Sequence, residues 1–128
     1  MRYAYYPGCV SQGAAPELFK ATAAVTTKLG MSLEHLKEAS CTGAGVLQER
    51  DPELADALNA RTFAMAERAG LPIMTICSTC TGVIALANVR LQDPEYRDKI
   101  NRAHTPSLRT WLIGTTGKPR HPVDDTKQ

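Results

Sequence analysis

The chain has 128 residues and a mass of 13.9 kDa, the size of one ordinary domain, which argues against a two-domain enzyme carrying both halves of an active site. Apolar residues make up 43% and charged residues 22% of the sequence, and the net charge is +2. These values favour a packed core and argue against a disordered chain or a nucleic-acid partner. No run approaches the roughly 18 apolar residues that span a bilayer, and the N-terminal segment is too short and aromatic for a signal peptide. We therefore expect a cytoplasmic protein without direct membrane insertion.

The first third of the chain predicts a strand, a helix and a second strand. The β-rich run 2–6 ends at a Pro-Gly turn signal, so a tight loop carrying Cys9 follows the first strand. A helix of about 14 residues then begins at a proline and ends at Gly30. The segment 31–36 predicts a weak second strand, and the loop after it carries Cys41.

The middle of the chain repeats this alternation. Asp51, followed by proline and glutamate, predicts the start of an amphipathic helix. The apolar run 72–76 predicts a strand buried on both faces of a parallel sheet. The pair Cys77-x-x-Cys80 comes directly after this strand, and a helix over 81–91 is expected to pack on the sheet.

The C-terminal part predicts two shorter helices and a tail. Pro94 and Pro106 each stand at a first helical position. Residues 114–128 lose apolar periodicity and gain turn formers, which is typical of a flexible tail or linker. We therefore expect one domain over 1–113, followed by this tail.

The predicted topology brings all four cysteines together. Alternating strands and helices favour a small three-layer α/β/α domain with a short parallel sheet. Cys9, Cys41 and the Cys77-x-x-Cys80 pair each follow a strand, so they leave the carboxyl edge of the sheet, where open α/β sheets bind ligands. In a reducing compartment such a set predicts a metal or redox site rather than a disulfide framework.

Local chemistry at the cysteines favours a bound inorganic group. Cys77 and Cys80 lie where a helix begins, so its backbone N–H groups and dipole should lower the pKa of both thiols. Glycines beside the cysteines allow unusual backbone angles and close approach, and they are Gly8, Gly43, Gly45 and Gly82. Their N–H groups could also donate hydrogen bonds to cluster sulfides.

Three kinds of site are compatible with these residues. Four thiolates can hold a [4Fe–4S] or [2Fe–2S] cluster, or a tetrahedral structural zinc. A strand followed by Cys77-x-x-Cys80 and a helix is also the pattern of a thioredoxin-like dithiol. We rank the dithiol third, because it leaves Cys9 and Cys41 unexplained at matching strand ends.

Other polar and aromatic side chains are not assigned to the site. The three histidines are expected to be structural or solvated, and they are His35, His104 and His121. Tyrosines alternate along the first strand, where packing against the sheet is the expected role and shielding of a cluster from water a second one; they are Tyr3, Tyr5 and Tyr6.

The cysteine pattern resembles a known family. In sequence, 31 residues separate Cys9 from Cys41-Thr42-Gly43, and 33 more precede Cys77-x-x-Cys80. This resembles the cysteine-rich CCG domain found in the B subunit of heterodisulfide reductase and in related proteins of sulfur oxidation, of an unusual class of succinate dehydrogenase and of lactate utilisation. The resemblance covers about residues 1–113 and includes Tyr-Tyr-Pro-Gly before the first cysteine.

The resemblance implies a role as well as a fold. It implies that Cys9, Cys41, Cys77 and Cys80 ligate an iron–sulfur cluster in an oxidoreductase subunit that handles electrons for disulfide or thiol-linked chemistry. It implies partner subunits that carry flavin and ferredoxin-like iron–sulfur centres. Heterodisulfide reductase B subunits usually contain two copies of the motif and this chain has one. Because a three-strand sheet is a thin core, we expect a second CCG module in the same or another chain.

Thr42 departs from the family pattern. The resembled motif has a second consecutive cysteine at this position, giving five thiols in all. Threonine cannot ligate as a thiolate does, so four thiolates remain, the number that an ordinary cluster or a structural zinc requires. A zinc-binding assembly domain is therefore the alternative to an electron-transfer subunit.

Overall fold

The computed structural model describes residues 1–104, which form a parallel sheet covered by helices. The strands are β1 (Arg2–Tyr6), β2 (Ser32–His35) and β3 (Ile73–Thr75). Their order is β2-β1-β3, with β1 parallel to both neighbours. All three strands therefore end at the same edge of the sheet, as the alternation of elements predicted.

Helices connect the strands and extend the fold beyond β3. Over residues 1–104 they are α1 (Cys9–Gln12), α2 (Pro16–Lys28), α3 (Val46–Arg50), α4 (Pro52–Ala69), α5 (Ser78–Arg90) and α6 (Pro94–His104). The sequence predicted α2, α4, α5 and α6, although α5 begins three residues earlier than expected. The short helices α1 and α3 were not predicted, because one turn of helix leaves no apolar periodicity to detect.

Helices cover both faces of β1. On one face Ala4 is fully buried and shares an apolar cluster with Leu36 and with Ala66 of α4. On the other face the ring of Tyr5 lies 5.7 Å from the ring of Phe19 in α2, measured between centroids. The expected three-layer α/β/α arrangement is therefore confirmed.

The expectation that the third strand is buried on both faces is wrong. The residues of β3 are only half-buried, whereas the last three residues of β1 are buried. The reason is strand order, because β1 lies in the centre of the sheet and β3 at its edge. A continuous apolar run does not distinguish these two positions.

A buried carboxylate ties helices α4, α5 and α6 together. Asp56 of α4 has no exposed surface and accepts hydrogen bonds from Arg90 of α5, at 2.7 Å from Nε and 2.5 Å from Nη2. Tyr96 of α6 donates its hydroxyl to the same carboxylate at 2.8 Å. An apolar cluster that includes Phe63 and the fully buried Ile100 fills the space beside this network.

Some of the predicted features lie outside the described residues. These are the helix expected to begin at Pro106, the tail over 114–128 and the domain boundary at 113. None of the helices in the described part of the chain is long and apolar enough to cross a bilayer.

Candidate metal centre

The strand order reverses direction between β1 and β3, at their carboxyl ends. The chain runs from β1 to β2 on one side and then returns across β1 to form β3 on the other. At such a reversal the connections leave in opposite directions, and ligands of open α/β sheets bind there. Cys9 follows β1, whereas Cys77 and Cys80 follow β3, so cysteines from two loops lie on either side of this reversal.

The Cys-x-x-Cys pair lies at the N-terminus of α5, and its two thiols are unequal. Cys77 is the N-cap, and its Sγ accepts the backbone N–H of Cys80 at 3.4 Å, which is the main cause of its lowered pKa. Cys80 is buried, and burial followed by the hydrogen bond with Cys77 raises the pKa of its thiol to about 11. The expectation that both thiols are acidified is therefore wrong for Cys80, because loss of water outweighs the helix terminus there.

A close backbone approach brings the Cys9 loop to this pair. Gly8 has φ +80°, and a Cβ at this position would lie 3.4 Å from Sγ of Cys80. Ser11, which is buried, donates its hydroxyl to the carbonyl of Pro7 at 2.7 Å and holds the loop in place. Cys9 follows directly and is exposed at the start of α1.

The Cys41 loop is held against α4 by a second glycine. Gly43 has φ +76°, and a Cβ there would lie 3.2 Å from the side chain of Ala55. The N–H of Gly43 points to Sγ of the exposed Cys41 at 3.5 Å. Gly82, in contrast, lies within helix α5 with open space around it, so the expectation of close approach there is wrong.

Thr42, in the Cys41 loop, also reaches the Cys-x-x-Cys pair. Its side chain is 1% exposed, and its Oγ1 lies 3.9 Å from Sγ of Cys80, within the range of a hydrogen bond to sulfur. Its carbonyl accepts a 3.0 Å hydrogen bond from Nδ2 of Asn59, a buried residue that also donates to the carbonyl of Ala55 at 2.9 Å. The residue that replaces the family's second cysteine is therefore fixed beside Cys80.

Tyr6 lies among the cysteines at the end of β1. It is buried and donates its hydroxyl to the carbonyl of Ser40 at 2.9 Å. Burial is the main cause of its strongly raised pKa, and the charges of Cys80, Cys41 and Cys9 raise it further. One phenol, packed in the core as expected, therefore lies within electrostatic reach of cysteines from all three loops.

The segments that carry the cysteines contain no charged side chain. No Asp, Glu, Lys or Arg occurs in 3–16, 39–48 or 69–89, although such residues make up 22% of the chain. Arg61, on α4, reaches this region through a 2.9 Å hydrogen bond to Oγ of Ser40. Neutral donors, mainly backbone N–H groups and hydroxyls, are therefore what can balance negative charge on the sulfurs.

The donor set fits a thiolate-bound iron–sulfur cluster. All four cysteines are free, and N–H groups already point to the sulfurs of Cys41 and Cys77. By number and type the same four thiolates would also suit zinc, although a single ion would require the cysteine loops to approach one another more closely. Among residues 1–104, no three His, Cys, Asp or Glu side chains form a group close enough to hold a single metal ion.

His35 lies in an aromatic cluster away from these contacts. Its ring is 5.4 Å from that of Phe19 and 6.1 Å from that of Tyr5, and its Nε2 lies 3.2 Å from the side-chain amide nitrogen of Gln12. Burial, followed by the charge of Lys37, lowers the pKa of the imidazole. Of the other two histidines, His121 and the side chain of His104 lie outside the described part of the structure.

The family model for the CCG cysteine-rich domain matches residues 3–85. The chain belongs to the CCG family. The matched segment contains all four cysteines and extends from β1 into α5.

Relatives of this CCG chain are subunits of redox complexes. It is 39% identical over 99 residues to the 8-methylmenaquinol:fumarate reductase membrane anchor subunit of Wolinella succinogenes, a match covering 77% of this chain and 34% of that one. It is 36% identical over 94 residues to the B subunit of the ferredoxin/F420H2-dependent CoB-CoM heterodisulfide reductase of Methanosarcina acetivorans, covering 72% and 31%. A protein of Archaeoglobus profundus described as similar to the heterodisulfide reductase B subunit is 28% identical over 120 residues, covering 92% and 37%. The matches span about a third of the length of these relatives.

Sequence reasoning missed the residues that support the cysteine loops. Asn59 holds the carbonyl of Thr42, and Ser40 accepts hydrogen bonds from Tyr6 and Arg61, yet the sequence assigned no role to these supporting residues. One signal was present for Asn59, because an amide among the alanines of a buried helical face needs a hydrogen-bond partner. Nothing in the sequence identifies that partner as the carbonyl of Thr42.

Proposed function

We propose that this chain binds an iron–sulfur cluster through Cys9, Cys41, Cys77 and Cys80 and transfers electrons as a module of a heterodisulfide-reductase-like complex. A [4Fe–4S] cluster is the preferred form and [2Fe–2S] the second. The observation that carries the proposal is the convergence of free thiols from three loops on the carboxyl edge of one sheet, around the phenol of Tyr6. Four thiolates are the usual ligands of both cluster types.

The chain's own residues would bind, orient and shield the cluster. When bound, such a cluster accepts and releases single electrons and so links a donor to disulfide or thiol chemistry. The N–H groups of Gly43 and Cys80 donate to the sulfurs of Cys41 and Cys77 and would stabilise their ligating, deprotonated forms. Tyr6 blocks water from the sheet side, because its ring is buried and its hydroxyl is occupied by a backbone carbonyl.

The surface around the cysteines supports a partner at this edge. Exposed apolar side chains stand in or beside each cysteine loop, with Val10 51%, Val46 67% and Ile76 37% exposed. An uncharged edge bordered by such residues is typical of a surface covered in an assembly. We propose a second CCG module there, in the same or another chain, and a complex that also contains flavin and ferredoxin-like iron–sulfur subunits. We propose that such a complex serves either sulfur metabolism or respiration of the succinate dehydrogenase type.

Metal analysis after anaerobic purification tests the cluster. We expect a brown protein that absorbs near 400 nm, contains iron and acid-labile sulfide, and gives an EPR signal on reduction or oxidation. Cys9→Ser and Cys41→Ser should each lose most of the iron, whereas Ser78→Ala, an exposed site between two ligands, should retain it. A colourless protein with one zinc would instead establish the structural alternative, because zinc has no accessible redox couple.

Light scattering tests the second module. A cluster-loaded chain that elutes as a stable monomer would contradict pairing with a second copy through the exposed apolar side chains beside the cysteine loops. A dimer that dissociates when Val10 or Val46 is replaced by aspartate would support it. Asp substitution of Val89, which is 63% exposed on α5 away from the loops, is the matched control.

One observation favours a second candidate, a redox-active dithiol. A helix N-terminus with an acidified first thiol and a buried, high-pKa second thiol is the arrangement of thioredoxin-like sites. The dithiol needs only Cys77 and Cys80, so disulfide reductase activity that survives Cys9→Ser and Cys41→Ser in iron-free protein would establish it. Loss of all redox activity in those variants would support the four-cysteine cluster.

A further inference from the structure

We propose that Thr42 is a positioning residue for the cluster site, whose hydroxyl donates a hydrogen bond to Sγ of Cys80 and makes the bound cluster easier to reduce. The inference rests on the proposed function, since it concerns a cluster held by Cys80. It adds a role for the one position at which this chain departs from the family's cysteine pattern.

The geometry of Thr42 is fixed from two sides. Its backbone carbonyl is held by Asn59 of α4, and its side chain contacts Cys80 of α5. With the main chain held in this way, Oγ1 lies 3.9 Å from Sγ of Cys80, and the side chain is 1% exposed. Water therefore does not compete for the hydroxyl, and the sulfur is its partner in the described part of the chain.

The chemistry of the site makes this donor important. Cys80 is the one buried cysteine of the four, and its own N–H is directed to Sγ of Cys77. The segments that bear the cysteines lack charged side chains, so the donors that these segments can direct at this sulfur are neutral ones such as the hydroxyl of Thr42. A hydrogen bond to a ligating thiolate withdraws electron density from the metal and raises the reduction potential of a cluster.

A cysteine at position 42 would act differently. It would place a fifth sulfur next to Cys80, where the threonine instead supplies a donor that neither ligates nor oxidises. The substitution thus converts a ligand position into a hydrogen-bond position while keeping a side chain that fills the same buried space.

Redox titration of the reconstituted full chain tests the proposal. Thr42→Val keeps the shape of the side chain and removes the donor, whereas Thr42→Ser keeps the donor. At a fixed ambient potential we expect the ratio of reduced to oxidised cluster to fall about tenfold in Thr42→Val, which is about 59 mV for a one-electron couple. Thr42→Ser should stay close to wild type. Thr79→Val, the same change at an exposed threonine beside Cys80, should leave the ratio unchanged.

A potential for Thr42→Val equal to that of wild type, or a Thr42→Ser variant that shifts as far as Thr42→Val, would overturn the proposal. If Thr42→Val does not fold by circular dichroism, Thr42→Ala replaces it with the same expected direction, because it removes the hydroxyl without adding a methyl group beside sulfur.

Cobalt binding separates this proposal from the proposed function. If the chain takes up no iron, the iron–sulfur function fails, and Co²⁺ is then used as the probe of the same thiolates. The sulfur-to-cobalt charge-transfer band should move to longer wavelength in Thr42→Val and not in Thr42→Ser, because an unbonded thiolate gives up electron density more readily. An unchanged band in Thr42→Val, or a wild-type chain that binds neither iron nor cobalt, would overturn the role of Thr42.

Discussion

Replacing Asn59 with leucine should destabilise the metal-free protein by an amount that the structure allows us to work out. Asn59 is 1% exposed and donates from Nδ2 to the carbonyls of Thr42, at 3.0 Å, and Ala55, at 2.9 Å. The carbonyl of Ala55 keeps its bond within helix α4, because Asn59 is the residue four positions on. The carbonyl of Thr42 loses its partner in a buried position. Leucine keeps the branched arrangement of four side-chain heavy atoms but is larger, so the loss consists of this hydrogen bond and the desolvated acceptor it leaves, and any overpacking adds to it.

The expected loss is about 2 kcal/mol, within the range of about 1–3 kcal/mol for a buried polar group left without a partner. Urea unfolding of the metal-free chain measures it. With a slope of about 2 kcal/mol per molar urea, the unfolding midpoint should fall by about 1 M at unchanged slope.

Asn88→Leu is the matched control, since Asn88 is exposed on helix α5 and should change stability by less than about 0.5 kcal/mol. An Asn59→Leu midpoint within the error of wild type would contradict a buried carbonyl of Thr42 that depends on Asn59 for its hydrogen bond. It would show that the carbonyl of Thr42 finds water or another donor, and that the Cys41 loop is not held by α4 in the way described.

Three further predictions concern the site and the helices behind it. Gly8→Ala should lower the free energy of unfolding in urea by about 1–3 kcal/mol, because a φ of +80° strains any residue other than glycine. Gly82→Ala is the control and should be neutral or stabilising, because a Cβ there meets open space within helix α5. Equal effects of the two substitutions would contradict the strain at Gly8. In metal-free protein at about pH 8, iodoacetamide followed by mass spectrometry should modify Cys77 well before Cys80, since the pKa of the first thiol is lowered and that of the buried second is raised to about 11; equal rates would be inconsistent with this order. Burial and the hydrogen bond to Asp56 raise the folded-state pKa of Tyr96 to about 12 from its ordinary 10.0, so its contribution is present below pH 10 and is lost as pH rises toward 12. The free energy of unfolding should accordingly fall less between about pH 9 and about pH 11 in Tyr96→Phe than in wild type, and parallel decreases would exclude this tyrosine as a cause.

The network around Asp56 explains why the helices beyond the sheet belong to the same unit as the cysteine edge. Arg90 ends α5, whose first turn carries Cys80, and Tyr96 belongs to α6. The carboxylate that both bind lies on α4, the helix that also supports the Cys41 loop through Asn59. Helix α4 therefore contacts two of the cysteine-bearing segments from behind, which makes it the main scaffold of the site.

The elements with strong local signals were predictable. Asp51 caps α4 by accepting the N–H of Leu54 at 3.0 Å, as its place before proline and glutamate predicts, and Gly70 ends the helix in a left-handed conformation. Strand β1 and helix α2 follow from a Pro-Gly stop and a proline start in the same way. Such signals involve neighbours in sequence, so no tertiary contact is needed to interpret them.

By itself the sequence determined the alternation of strands and helices, the parallel sheet, and the placement of four cysteines at the ends of three strands. It did not determine that β1 is the central strand, that Cys80 is buried while Cys9 and Cys41 are exposed, or that Thr42 reaches Cys80. These features depend on which segments pack together and exclude water, and those segments are distant from one another in the sequence. Burial raises the pKa of Cys80 against the pull of the helix terminus, and only the packing of α4 against the Cys41 loop brings Thr42 to that sulfur.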